Sequence, residues 1–182
     1  MSSNKATCCA CRSRFSCPTR RTIDDACRVT IQIHIATPKD GYNPKWDSTG
    51  GGLRTEEGST AVLGRNTVIN NNTAKSGGGV YTKGGKVTIN SSTITENKAT
   101  GNGGGICAED NSTVTVVGGK ISSNTSAGVE QTASGVGGLY TNTSTVTLTT
   151  VTITGTPAIN DLRNEGGGIL AAGRSHTITG TT

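Results

Sequence analysis

The chain has 182 residues, the length of one ordinary domain or of one segment of a repeat protein, with a formal net charge of +5 and only 16% charged residues. Leu, Ile, Val and Phe number 32, whereas 27 glycines, 32 threonines, 16 serines and 14 asparagines supply about half the chain. This balance excludes a wide core of Leu, Phe and Trp layers and a helical bundle, and no apolar run reaches the roughly 18 residues of a membrane helix.

Residues 1–28 carry Lys5, Arg12, Arg14, Arg20, Arg21 and Arg28 against Asp24 and Asp25, a net of +4, which leaves the remainder nearly neutral. The same segment holds Cys8, Cys9, Cys11, Cys17 and Cys27. Their irregular spacing lacks paired CxxC knuckles, so disulfides or free thiols are expected rather than zinc. The segment is expected to be a Cys-rich, basic, poorly ordered leader. Met1 is not followed by the roughly 7 to 15 apolar residues of a secretory signal, so export would use something outside this sequence, or the true start lies upstream. Residues 29–49 form a second stretch. Val29, Thr30, Ile31, Gln32, Ile33, His34 and Ile35 alternate strictly and predict a first strand or cap. Pro38, Gly41 and Pro44 end it, and Trp46 is expected to cover the first coil.

From residue 50 to the C-terminus the chain repeats. Glycine-rich blocks recur as GGGL at 50–53, GGGV at 77–80, GGGI at 103–106, GVGGL at 135–139 and GGGI at 166–169. The steps between Leu53, Val80, Ile106, Leu139 and Ile169 are 27, 26, 33 and 30 residues. Within the units, Val62, Val87, Val114 and Val146 each precede Ile69, Ile94, Ile121 and Ile153 by seven residues. Asn72, Asn97 and Asn124 follow the second aliphatic at the third position, and Thr156 stands there in the fourth unit. The extra length of the third unit falls between Asn124 and Gly137 and reads as a loop on a coil that is otherwise kept.

Short alternations such as KVTI at 86–89, STIT at 92–95 and TVTV at 113–116 predict strands. Three of them per repeat, separated by Gly and Asn corners, fit an all-β, right-handed, single-stranded parallel β-helix of four to five coils better than a sandwich. Coils stacked about 4.8 Å apart need one aliphatic layer each, which explains a core built from so few large residues. Asparagines at a shared corner can form an amide ladder, and glycine triplets permit positive φ and close approach of successive coils. The last coil stops after His176, Thr177 and Ile178 with no cap, so the expectation is a truncated solenoid whose parent chain adds further coils or whose edge meets a partner.

Gly77, Gly78 and Val80 with Ile94 and Asn97, and Gly103, Gly104 and Ile106 with Ile121 and Asn124, which with Val87 and Val114 are the structural anchors of the repeat, resemble in their glycine-aliphatic and aliphatic-x-x-Asn spacing the polymorphic outer membrane protein repeats of chlamydial autotransporter adhesins. Those repeats are marked by GGA followed by Ile, Leu or Val and by FxxN. Here Gly79 or Gly105 replaces the alanine and Ile94 or Ile121 the phenylalanine. The resemblance implies a surface-exposed or secreted passenger in adhesion or recognition and transfers no catalytic residue.

The alternative on the same fold is a carbohydrate-active enzyme, pectin lyase-like or a hydrolase. Hydrolysis needs two carboxyl groups about 5 to 9.5 Å apart. Asp24 and Asp25 are adjacent and would point to opposite faces of a strand, Asp110 and Asp161 are more than one coil apart, and no acidic cluster along a face is expected. No catalytic, metal or cofactor residue is therefore assigned. Nucleic acid is disfavoured for want of a basic stripe or stacking aromatics in the repeats. Tyr81 and Tyr140 follow Val80 and Leu139 and are expected to share an outward recognition patch, with Cys107 at the same position between them as an exposed thiol. Asn71, Asn90, Asn111, Asn124 and Asn142 begin Asn-x-Ser/Thr patterns, Asn124 also being a ladder residue. The expectation is a non-catalytic extracellular or outer-membrane-associated scaffold whose partner is a surface protein or glycan of a host or neighbouring cell.

Overall fold

A computed structural model describes residues 21–22, 30–32, 49–127, 136–155, 168–172 and 175–180. The regular elements among them are all strands, and every strand pairing is parallel. Two short strands come first, β1 (Arg21–Thr22) and β2 (Thr30–Gln32). The first coil holds β3 (Leu53–Thr55), β4 (Thr60–Leu63), β5 (Val68–Asn70) and β6 (Thr73–Ala74), and the second holds β7 (Val80–Lys83), β8 (Lys86–Thr95) and β9 (Lys98–Ala99). The third contains β10 (Ile106–Glu109), β11 (Thr113–Ser122) and β12 (Thr125–Ser126). The fourth contains β13 (Leu139–Asn142), β14 (Thr145–Thr149) and β15 (Thr152–Thr154), and the last described turn contains β16 (Ile169–Ala172) and β17 (His176–Thr179).

Successive coils stack like on like into sheets of nine, five and three strands. The five-stranded sheet runs β16-β13-β10-β7-β3 and the three-stranded one β12-β9-β6. The strands expected as separate pieces at 86–89 and 92–95 join into the single β8, which turns its corner at Ser91 with φ of 42°. In β8 Val87 and Ile89 face inward and are buried while Thr88 between them faces out, the alternation that a pleated strand imposes. Ile69, Ile94, Ile121 and Ile153 stack in one column, and Val87, Val114 and Val146 in another. Each buried Val or Ile contributes about 1.5–3 kcal/mol relative to exposure.

One register differs from the sequence reading. Ala61, not Val62, pairs with Val87, and Leu63 pairs with Ile89. The corner Gly64–Arg65–Asn66–Thr67 spends four residues where the next coil uses Asn90, Ser91 and Ser92, so the seven-residue spacing from Val62 to Ile69 does not mark equivalent positions. The lengthened third unit, by contrast, keeps the register of its neighbours: Ile106 pairs with Leu139 and Val114 with Val146.

Two corners hold the coils together. At the glycine corner Gly103 takes φ of +63°, and Gly104 donates its N–H to the Val136 carbonyl at 2.9 Å. At the corner packed against these glycines Asn72, Asn97 and Asn124 are buried and form the amide ladder. Asn72 Nδ2 donates to Asn97 Oδ1 and Asn97 Nδ2 to Asn124 Oδ1, both at 2.9 Å. The Asn97 and Asn124 amides also donate to the Ile69 and Ile94 carbonyls of the preceding coil. Burial of Asn124 removes it from the accessible acceptor patterns, whereas Asn71, Asn111 and Asn142 are exposed. Thr156, Trp46 and Asp161 lie outside the described residues, as do the N-terminal cysteines, Asp24, Asp25 and most of residues 125–136 expected as a loop.

Candidate functional site

The most chemically varied surface lies on the five-stranded sheet. The position after each anchor aliphatic brings Arg54, Tyr81, Cys107 and Tyr140 into one in-register column. Two residues further along, Lys83 stands beside Glu109. Tyr81 Oη donates to Glu109 Oε2 at 2.9 Å, and the Cys107 thiol reaches Glu109 Oε1 at 3.7 Å. The Arg54 guanidinium lies 5.6 Å from the Tyr81 ring centroid, a cation–π distance, and Arg54 Nε donates to Glu56 at 3.0 Å.

This arrangement corrects the expected aromatic patch. Tyr81 is only 5% exposed, Tyr140 is half-buried, and Cys107 between them is 0% exposed rather than a surface thiol. The column does point away from the central aliphatic layer, but the glycine corner folds against it. A Cβ on Gly77 would lie 2.8 Å from Tyr81 Cβ, and one on Gly103 would lie 2.8 Å from Cys107 Cβ. The bare backbone of these corners is the cover. The glycine triplets therefore bury an outward column as well as turning the chain.

Burial sets the electrostatics. Desolvation, followed by the neighbouring Glu109 carboxylate, raises the Tyr81 phenol above its ordinary value of 10.0. Desolvation and then Glu109 push the Cys107 thiol well above 9.0, and desolvation first, then Cys107 and Glu109, raise Tyr140. All three groups are held as protonated donors, so Cys107 has the character of a packed thiol and not of a nucleophilic thiolate.

Beside this column the corners after β3, β7 and β10 converge on a shallow groove of about 470 Å³, lined by Glu56, Glu57, Lys83, Gly84, Asp110 and Asn111. Lys83 Nζ lies 3.2 Å from Asp110 Oδ2, and both are exposed, so this pair contributes at most about 1 kcal/mol. Sequence reasoning missed this acidic convergence. Its signal was positional: Glu56, Lys83 and Glu109 lie three residues, and Glu57 and Asp110 four residues, after Leu53, Val80 and Ile106. No group of three or more His, Cys, Asp or Glu among the described residues is arranged to hold a metal ion. Among them, too, no helix is long and apolar enough to cross a membrane.

Residues 41–182 match the family model described as a right-handed β-helix region. The chain belongs to that family, and its coils form a right-handed parallel β-solenoid of about four turns. Comparison with curated proteins gives no match, and comparison with solved structures gives none.

The buried column predicts alkaline sensitivity. Tyr81, Tyr140 and Cys107 keep their protons in the folded state at pH values where the unfolded chain has released them. Above about pH 9 the unfolded state therefore binds fewer protons than the native state, and stability falls as pH rises. Urea midpoints measured at pH 8 and pH 10.5 should show this drop, and Tyr81→Phe combined with Cys107→Ala should flatten it. An unchanged slope in the double variant would remove these groups as its cause.

Proposed function

We propose that the chain is a non-catalytic recognition scaffold at the cell surface or outside the cell, and that the groove beside Tyr81 meets a surface protein or glycan. The observation that carries this reading is the state of the groove's ion-paired side chains and of the column beside it. Tyr81 and Cys107 are buried and tied to Glu109, while Arg54 pairs with Glu56 and Lys83 with Asp110. Ion-paired carboxylates beside locked donors form a fixed pattern of charge, which favours specific encounter over proton transfer. The resemblance to polymorphic outer membrane protein repeats supports the same class of role and an outer-membrane-associated location.

The second reading, a polysaccharide hydrolase or lyase on this fold, draws support from Glu56, Glu57 and Asp110 lining one groove. A glycan array, intact cultured cells and a reducing-sugar assay with pectin separate the two. The scaffold reading expects saturable binding to cells or array, weakened several-fold by Asp110→Lys, with no sugar release. Release of sugar that disappears in Glu57→Gln would replace it with the enzyme.

A further inference from the structure

Two successive glycine triplets are entered through a small polar residue, Ser76 before Gly77 and Asn102 before Gly103. The main-chain carbonyls of both hold the preceding coil, Ser76 accepting from the Gly50 N–H at 2.9 Å and Asn102 from the Gly77 N–H at 3.0 Å. Their side chains differ in chemistry, because Asn102–Gly103 is the one Asn-Gly pair in the sequence. Asn102 is also held unlike the ladder asparagines. Asn97 Oδ1 and Asn124 Oδ1 each receive two hydrogen bonds, whereas Asn102 Oδ1 is buried and receives none. A buried carbonyl oxygen without a donor is unfavourable, and no hydrogen bond to that oxygen fixes the amide in place.

Gly103 supplies a nucleophile beside this amide. Without a Cβ, its backbone nitrogen reaches the Asn102 side-chain carbon free of the crowding that any other residue would bring. The fold itself demands glycine there, since Gly103 takes φ of +63° and an added Cβ would collide with the Ile106 carbonyl oxygen. The backbone rule of the corner and the lability of the amide therefore fall on the same residue. Gly103 is also part of the cover of Cys107, which is 0% exposed, a Cβ at Gly103 lying only 2.8 Å from Cys107 Cβ.

We propose that Asn102–Gly103 is a self-modifying site whose deamidation uncovers Cys107. The Gly103 nitrogen gives its proton to solvent and bonds to Asn102 Cγ. The Cγ–Nδ2 bond then breaks, the nitrogen takes a proton from water and leaves as ammonia, and a succinimide ring remains. Water opens the ring at one of its two carbonyls to give aspartate or isoaspartate, so one water is consumed, one ammonia is released and nothing is oxidised. Aspartate puts a charge on a buried side-chain oxygen that has no donor. Isoaspartate adds a carbon to the main chain and turns the carbonyl that accepts from Gly77 into a free carboxylate. Either product loosens the corner locally and exposes the thiol beneath it.

The test incubates the full chain at neutral pH for days and treats samples with a maleimide at intervals. Mass spectrometry of the tryptic peptide spanning residues 99–120, which holds Asn102, Cys107 and Asn111, reads amide loss and thiol labelling together. Expected is conversion of amide to carboxyl at Asn102 several-fold faster than at Asn111, with the label on Cys107 concentrated in the converted peptides. Asn102→Ser, the residue used by the preceding coil, shown by circular dichroism to keep the strand signal, should leave Cys107 unlabelled over the same period. Conversion at Asn102 no faster than at Asn111 would overturn the proposal. So would equal labelling of Cys107 in converted and unconverted peptides.

Discussion

Asn97→Ala is expected to lower the free energy of unfolding by about 3–5 kcal/mol, because it leaves several buried polar groups without their partners at once. Asn97 Oδ1 accepts from the Asn72 backbone N–H at 3.1 Å and from Asn72 Nδ2 at 2.9 Å. Its own amide donates to the Ile69 carbonyl at 3.0 Å and to Asn124 Oδ1 at 2.9 Å. The substitution therefore takes an acceptor from two donors and a donor from a carbonyl of the coil before it, and a donor from the Asn124 side chain of the coil after it, at a residue that is 1% exposed. Urea denaturation of the variant beside Lys98→Ala, an exposed neighbour expected to change stability by no more than about 0.5 kcal/mol, gives the comparison. A loss for Asn97→Ala below about 1 kcal/mol would mean that the ladder is not a structural element.

Gly104→Ala is expected to cost about 3 kcal/mol or more, at the upper end of overpacking effects. A Cβ there would meet the Thr125 carbonyl oxygen at 2.3 Å, the Thr125 carbonyl carbon at 2.6 Å and the Gly137 carbonyl oxygen at 2.7 Å. All are backbone atoms, and side-chain rearrangement gives no relief. Gly104 is itself pinned between coils, donating to Val136 and accepting from the Gly79 N–H. Gly58 is the control. It has φ of +74° but no atom within 4 Å of an added Cβ, so Gly58→Ala carries only backbone strain of about 1–2 kcal/mol. Thermal melts and soluble yield of the two variants should differ sharply, and equal losses would show that close approach is not what the triplet provides.

The ladder and the triplets were legible because each depends on one residue type repeated at coil spacing. The isoleucine column was legible for the same reason, since Ile69, Ile94, Ile121 and Ile153 keep their register through corners of varying length. Other features carried weaker signals. The corner before each ladder asparagine takes positive φ at Asn71, Glu96 and Ser123, and two of those three residues give no hint of a left-handed backbone. The slip at Val62 came from one extra corner residue in a run where Ala61, Val62 and Leu63 offer no clear alternation. The burial of Tyr81 and Cys107 was hidden for a different reason. Strand alternation correctly turned them away from the aliphatic layer, but what covers them is the backbone of Gly77 and Gly103, which two-fold periodicity does not describe. The acidic groove arises from residues on different coils, such as Glu57 and Asp110 two coils apart, and reading it required the corners to be aligned as well as the strands.

The most direct measurement is the set of nuclear Overhauser contacts among the isoleucine methyls, assigned by single Ile→Val substitutions. Ile94 should contact Ile69 on one side and Ile121 on the other, Ile121 should contact Ile153, and Ile69 should not contact Ile121. Close Hα–Hα contacts between sequential strands, the mark of antiparallel hairpins, or an Ile94 remote from both neighbours would contradict the stacked parallel coil on which the ladder and the groove both depend.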